Sequence, residues 1–166
     1  MILLVSDTSV LIDLERGDLL QLAFTCGMTM VVPDLLYERE LEQYNGIYYR
    51  ELGLQVVTLN SEEIAFAQAV QSTHGTLSMP DCFALACAAR PQHALLTSDG
   101  PLRAIAEKRG VTRFGLLWLL DRIAEANPTA LGSLVEGLTK IATHPRNRQP
   151  MSEVRARLHR WAGTAT

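Results

Sequence analysis

Acidic side chains stand at the points of this sequence where a strand would give way to a helix, or at an adjoining helix start. They are Asp7 after the first apolar run, Glu38 and Glu40 after the second, Asp81 at the start of an alanine-rich stretch, and Asp99 after a later run. Clustered carboxylates repel one another, and a hard cation with oxygen ligands, Mg²⁺ or Mn²⁺, would make such a cluster tolerable. One or two such ions could activate a water and neutralise a leaving oxygen, which is the chemistry of phosphodiester hydrolysis.

Each acid also has an ordinary structural interpretation. Asp7, Asp81 and Asp99 all precede predicted helices, where Asp is a favoured N-cap and interacts well with the helix dipole. Thr8 and Ser9 could cap the first helix instead of Asp7, or could position a ligand. The two glutamates, taken alone, would be solvated helix residues. A functional site is therefore indicated by the joint placement of the acids and not by any one of them.

The elements that must position these acids alternate between strands and helices. Apolar runs at residues 2–5, 28–32, 54–59, 94–97 and 111–114 predict strands, and amphipathic or capped segments follow them. This alternation predicts a three-layer α/β/α sandwich around a parallel sheet of four to five strands. Ligands of such sheets bind beyond the carboxyl ends of the strands, where these acids fall.

The pattern changes after residue 126, where the remaining segments are helical only. Residues 129–142 and 152–161 predict helices, separated by the polar break HPRNRQP at residues 144–150. We therefore divide the chain into a first domain at residues 1–126, which contains the clustered acids, and a helical, basic C-terminal appendage at residues 127–166.

Charge is distributed unevenly between the two parts. The net charge is -3, but residues 1–136 carry 9 Lys+Arg against 17 Asp+Glu, whereas residues 137–166 carry 6 against 1. The basic tail could contact substrate phosphates. An equally strong alternative is that its arginines pair with the acidic core. The candidate substrate-binding residues are Arg146, Arg148, Arg155, Arg157 and Arg160.

The cysteines and the apolar segments predict the compartment. Cys26, Cys82 and Cys87 are odd in number and have neither a CxxC spacing nor a zinc-ligand spacing, which favours free thiols in a reducing cytoplasm. The apolar start of the chain is too short for a signal peptide, and no run approaches the roughly 20 residues of a membrane span. We expect a cytoplasmic protein without a membrane association.

Four short motifs together resemble the PIN domain over about residues 1–125. They are DTSVLI at residues 7–12, PDLLYEREL at residues 33–41, DCFALA at residues 81–86, and LLTSD at residues 95–99 with Leu102. Each motif is weak alone, but their order and spacing match the family. The resemblance implies a metal-dependent nuclease, and many small bacterial or archaeal members are VapC-like toxins of toxin–antitoxin pairs.

By position, the resemblance assigns Asp7, Asp81 and Asp99 as catalytic, metal-holding acids, with the Thr97 hydroxyl in support. The second acid is Glu40, because Glu40-Leu41 matches the family dipeptide. Counting from Pro33, however, places it one residue earlier, on Arg39, so Glu38 remains the substitute. A further acid that some members carry after the fourth is absent here. The resemblance implies a ribonuclease that uses Mg²⁺ or Mn²⁺, a homodimer and an antitoxin partner. The alternative is a PIN-fold binding or regulatory module without turnover.

Overall fold

The computed structural model describes residues 1–164 of the chain. The strands are β1 (Leu3–Ser6), β2 (Thr29–Pro33), β3 (Gln55–Val57), β4 (His93–Leu96) and β5 (Arg113–Phe114). The helices before β4 are α1 (Thr8–Arg16), α2 (Leu20–Thr25), α3 (Asp34–Leu36), α4 (Gly46–Leu52), α5 (Ser61–Thr73) and α6 (Met79–Ala88). Those after it are α7 (Gly100–Lys108), α8 (Leu116–Ala126), α9 (Leu131–Thr143) and α10 (Met151–Thr164).

The five strands form one parallel sheet in the order β3-β2-β1-β4-β5. Because parallel neighbours need crossover connections, the intervening helices cover both faces of the sheet. The predicted α/β/α sandwich is therefore confirmed, with five strands. Strand β1 lies at the centre, and its residues Leu4 and Val5 are almost fully buried, as its continuous apolar sequence predicts.

The segment after β2 differs from the single amphipathic helix that its apolar spacing predicts. Only one α-helical turn forms, and residues Tyr37–Leu41 then adopt a π-helical turn, in which the Glu42 amide donates to the Tyr37 carbonyl at 2.8 Å. Two short helices, α2 and α4, were also not predicted. Strand β3 spans only three of the six residues predicted for it, because it lies at the edge of the sheet and pairs on one side.

The C-terminal helices share the hydrophobic core of the sandwich. Leu134, Leu138 and Ile141 of α9 are fully buried, and α10 adds Val154 and Trp161. The division of the chain at residues 126 and 127 stays a prediction, but α9 and α10 are packed parts of the fold. Across residues 1–164 we find no helix that is both long and apolar enough to cross a membrane.

Candidate active site

The first acid, Asp7, lies at the carboxyl end of β1 beside the end of β4. The strand register pairs Ser6 with Leu96, and the Asp7 amide donates to the Leu96 carbonyl at 3.0 Å. This pairing brings Thr97 next to Asp7, and the Thr97 hydroxyl donates to Oδ2 of the carboxylate. Both side chains are buried, with exposed fractions of 2% for Asp7 and 0% for Thr97.

Burial changes the pKa of the Asp7 carboxyl. Removal from water raises the pKa of the Asp7 carboxyl to about 6, and the negative charge of Asp81 contributes to the increase. Hydrogen bonds from Thr97, the Val10 amide and the Ser9 hydroxyl oppose the shift without cancelling it. The Val10 bond also makes Asp7 the N-cap of α1, so Thr8 and Ser9 do not replace it in that role.

The third and fourth acids are also fixed at helix starts. Asp99 caps α7 by accepting from the Leu102 amide at 2.9 Å, and its own amide donates to the Thr97 hydroxyl at 3.0 Å. Asp81 belongs to a capping box, in which Ser78 is the cap and each residue's side chain accepts the other's amide proton at 3.2 Å. Capping therefore explains why these carboxylates point towards the end of the sheet, and it leaves acceptor capacity on each of them.

The second acid is the residue whose placement depends on the π-helical turn. A π turn contains one more residue between hydrogen-bonded positions than an α turn. Glu40 belongs to this turn and lines the cleft with the other acids, whereas Arg39 does not line it. The Thr8 hydroxyl donates to Oε1 of Glu40 at 2.8 Å. Both glutamates are exposed, but Glu40 lines the cleft with the other acids and Glu38 does not.

The four acids line one open cleft of about 260 Å³ at the carboxyl ends of the central strands. Hydroxyl groups from Thr8, Ser9 and Ser78 lie among them. Ser78 was not singled out from the sequence, although the spacing of Ser78 and Asp81 matches the short capping pattern that precedes many helices. The remaining lining residues are Ile12 and Arg148.

Arg148 is the candidate tail arginine that reaches the acid cleft in the described chain. It lies in the segment at residues 144–150 that connects α9 to α10, hereafter the connecting segment. Its Nη1 donates to Oδ1 of Asp99 at 3.3 Å. The next residue, Gln149, is buried and donates to the Ser98 hydroxyl at 3.0 Å. These two contacts hold the connecting segment beside the cleft.

The other candidate arginines do not line the cleft formed by Asp7, Glu40, Asp81 and Asp99. Arg157 makes a two-pronged contact with the Asp121 carboxylate of α8, with its shortest distance 2.7 Å, and Arg160 contacts the same carboxylate at 2.8 Å. The positions of Arg157 and Arg160 therefore agree with the alternative that the basic tail pairs with acidic residues of the first domain. Arg146 and Arg155 are exposed and do not line the acid cleft.

The donor set of the cleft is suited to a hard divalent cation. All four acids supply oxygen, and Asp7, Asp81 and Glu40 have no basic side chain in salt-bridge contact within residues 1–164. As they stand, however, no three Asp, Glu, His or Cys side chains of the described chain form a ready-made metal site. Asp99 in particular already has Arg148 on one oxygen and the Leu102 amide on the other. A metal ion bound at Asp99 would therefore share that carboxylate with Arg148 or displace it.

Comparison with known proteins identifies the family. A family model described as a PIN domain matches residues 3–151. The chain belongs to the PIN-domain family. The match extends through the connecting segment, beyond the residues 1–125 over which the motifs resemble the family. PIN domains generally are nucleases, and they typically use divalent metals.

A solved structure shares the PIN fold with this chain. It is a PilT N-terminus domain protein from the hyperthermophilic archaeon Sulfolobus solfataricus P2, with a TM-score of 0.50 and 15% sequence identity. The alignment covers 75% of this chain and 95% of that one. At this identity the likeness concerns the fold alone. No curated protein sequence matches the chain.

Proposed function

We propose that this PIN-domain protein is a metal-dependent endoribonuclease that hydrolyses RNA phosphodiester bonds with Mg²⁺ or Mn²⁺. The observation that carries the proposal is the convergence of four carboxylates, from four separate elements, around one open cleft. Capping accounts for the three aspartates at this end of the sheet, but Glu40 caps no helix of the described chain and lines the same cleft. The family's general nuclease activity agrees with this reading.

The proposed chemistry divides the tasks between the three aspartates, the two threonines and Glu40. A bound divalent ion would supply an acidified water and charge neutralisation at phosphorus. Asp7, Asp81 and Asp99 would hold the ion, and Thr97 orients the Asp7 carboxylate by its hydrogen bond. Thr8 engages Oε1 of Glu40, which leaves Oε2 to accept a proton from the attacking water or to bind a second ion.

A cleavage assay with matched glutamate variants tests the proposal. We expect Asp81→Asn and Asp99→Asn to abolish cleavage of a fluorogenic RNA while preserving the fold, because asparagine retains the oxygen acceptor that each cap uses. Glu40→Gln should lower the rate by about 10²–10⁴-fold, the range for loss of a general base. Glu38→Gln, two residues away and outside the cleft, should leave the rate unchanged. Full activity of Asp81→Asn, or equal damage from both glutamate variants, would contradict the assignment.

The second candidate function is a PIN-fold binding or regulatory module without turnover. It is favoured by the occupied Asp99 carboxylate and by the lack of a ready-made three-ligand metal site in residues 1–164. A thermal-shift scan with Mn²⁺ and Mg²⁺ beside the cleavage assay separates the two functions. Stabilisation by metal together with metal-dependent cleavage supports the nuclease, whereas stabilisation without cleavage supports the binding module.

The proposed biological role is that of a VapC-like toxin, with RNA as substrate, an antitoxin protein as inhibitor and a homodimer as the working assembly. This role comes from the family resemblance. Induced expression in a bacterial host should arrest growth, and the Asp81→Asn variant should not. Light scattering of the purified protein measures its oligomeric state, and a monomeric mass at assay concentration would count against the dimer.

A further inference from the structure

A second cleft, of about 180 Å³, adjoins the acid cleft and shares Arg148 with it. It lies between α7, α8, the connecting segment and the first half of α10, and we refer to it as the side cleft. Ser98 lines the side cleft and Asp99 lines the acid cleft, so adjacent residues of one loop belong to the two neighbouring spaces. The side cleft is therefore the space that a linear molecule enters if it extends from the acids past Asp99 towards Ser98.

Arginine dominates the charge of the side cleft. Its lining includes Arg103, Arg148 and Arg157, and Glu153 is its one acidic lining residue in the part of the chain that the structure describes. Arg157 is already neutralised by Asp121. Arg103 projects from the first turns of α7, is exposed, and has no salt-bridge partner within residues 1–164. The side cleft thus offers an uncommitted guanidinium group directly beside a strongly acidic space.

We propose that the side cleft binds a backbone phosphate of single-stranded RNA, next to the phosphate held at the acids, and that Arg103 is its principal contact. The inference rests on the proposed nuclease function and extends it to the path of the substrate. Carboxylates alone repel a polyanion, so a strand held across them needs cationic contacts on its flanking phosphates. The planar guanidinium fork matches a phosphate in both charge and geometry.

The geometry also separates Arg103 from the arginines of the basic tail. Arg157 and Arg160 are occupied by Asp121, and Arg146 and Arg155 do not line either cleft. Arg103 belongs to the acidic first part of the chain, where composition gave no reason to expect a substrate contact. Its role follows from the fold, which places the start of α7 against the connecting segment.

The test measures RNA affinity as a function of salt concentration. A labelled single-stranded RNA is titrated with protein in EDTA, so that binding is observed without cleavage, and fluorescence anisotropy is recorded at several salt concentrations. Each neutralised phosphate of a single strand contributes about 0.7 to the slope of log K against log salt. We expect Arg103→Gln to lower the magnitude of the slope by about 0.7 and to weaken binding several-fold at low salt.

Two further variants serve as controls. Lys108→Gln removes one positive charge from the other end of α7, outside both clefts, and should leave the slope at the wild-type value. Arg103→Lys retains the charge and should restore the slope, with weaker binding because a two-pronged contact is lost. Thermal unfolding of each variant checks that the fold is unchanged.

The outcomes separate this inference from the proposed function. If wild-type protein binds RNA and cleaves it with Mn²⁺, but Arg103→Gln has the wild-type slope, the side cleft is not a phosphate site and the nuclease proposal stands. Equal slope changes in Arg103→Gln and Lys108→Gln would also overturn the inference, because they would indicate a diffuse charge effect. If wild-type protein neither binds nor cleaves RNA, the proposed function is refuted, and the inference is refuted with it because it rests on that function.

Discussion

Substitution of Gly137 by alanine tests the close approach of α9 to the end of α1. A Cβ atom at Gly137 would lie 2.6 Å from the Gly17 carbonyl oxygen and 2.6 Å from Cγ of Leu19. Real Cβ contacts are not found at such distances, so the helices must separate. Gly132 of the same helix has no atom within 4 Å of the corresponding position. It is therefore the matched control.

The magnitude follows from two opposing effects. Alanine in place of glycine favours a helix interior by about 1 kcal/mol, and this gain applies to both sites, although less fully to Gly132 in the first turn. Overpacking at Gly137 costs about 1–3 kcal/mol. The free energy of unfolding of Gly137→Ala should therefore lie roughly 1–3 kcal/mol below that of Gly132→Ala. The size of this chain makes the difference roughly 2–12 °C in Tm.

The assay is urea or thermal unfolding of both variants and of the wild type, with circular dichroism recorded as the signal of unfolding. We expect Gly132→Ala to unfold at or slightly above the wild-type temperature, and Gly137→Ala below Gly132→Ala. If Gly137→Ala were as stable as Gly132→Ala, the two backbones would not be in contact. The packing of the C-terminal helices onto the sandwich would then need a different explanation.

Three further predictions concern charged side chains. The raised pKa of Asp7, about 6 against 3.8 when unperturbed, means that this group stabilises the fold below pH 4 and loses that contribution as pH rises through 6. Asp7→Asn should therefore flatten the pH dependence of the free energy of unfolding over that range, measured by urea denaturation. The change is up to about 3 kcal/mol, because each pKa unit corresponds to about 1.36 kcal/mol. Asp121→Ala should destabilise the fold by about 1–3 kcal/mol, because it removes the carboxylate partner of the half-buried Arg157 guanidinium. Glu125→Ala, which breaks the exposed pair with Arg122, should cost less than about 0.5 kcal/mol. Arg148→Gln should raise the affinity for Mn²⁺, measured by calorimetry, by about 1.4-fold to 5-fold. The reason is that the exposed ion pair of Arg148 with Asp99, which competes with the metal, is worth about 0.2–1 kcal/mol. Arg146→Gln should leave the affinity unchanged.

Most of the fold was predictable because the pattern that encodes it is local. Continuous apolar runs indicate strands buried on both faces, and capping residues mark the helices that follow. Asn60 and Glu63, for example, form the capping box that their spacing predicts. The short helices α2 and α4 carry no comparable signal, because one or two turns are too few to establish a periodicity.

The candidate site was only partly predictable, for two physical reasons. The sequence indicates acids at the ends of strands and at a helix start, but it leaves Glu38 and Glu40 as alternatives. Glu40 lies at the cleft within a π-helical turn that apolar spacing does not reveal. The contact of Arg148 with Asp99 joins residues 49 positions apart, so no local spacing encodes it. Likewise, the pairing of the tail arginines with Asp121 depends on how α10 packs against α8. The catalytic roles of the four acids stay a prediction until the variants are measured.

The contact between Arg148 and Asp99 has a consequence for the order in which the site is assembled. The cleft draws its residues from Asp7 to Arg148, and the last of them lies in the connecting segment. A chain emerging from the ribosome presents its N-terminal part first. The acids near the first strand are thus synthesised long before the arginine that contacts Asp99. The complete cleft forms only after α9 has been translated and packed against α1, so a partly synthesised chain would lack the finished site.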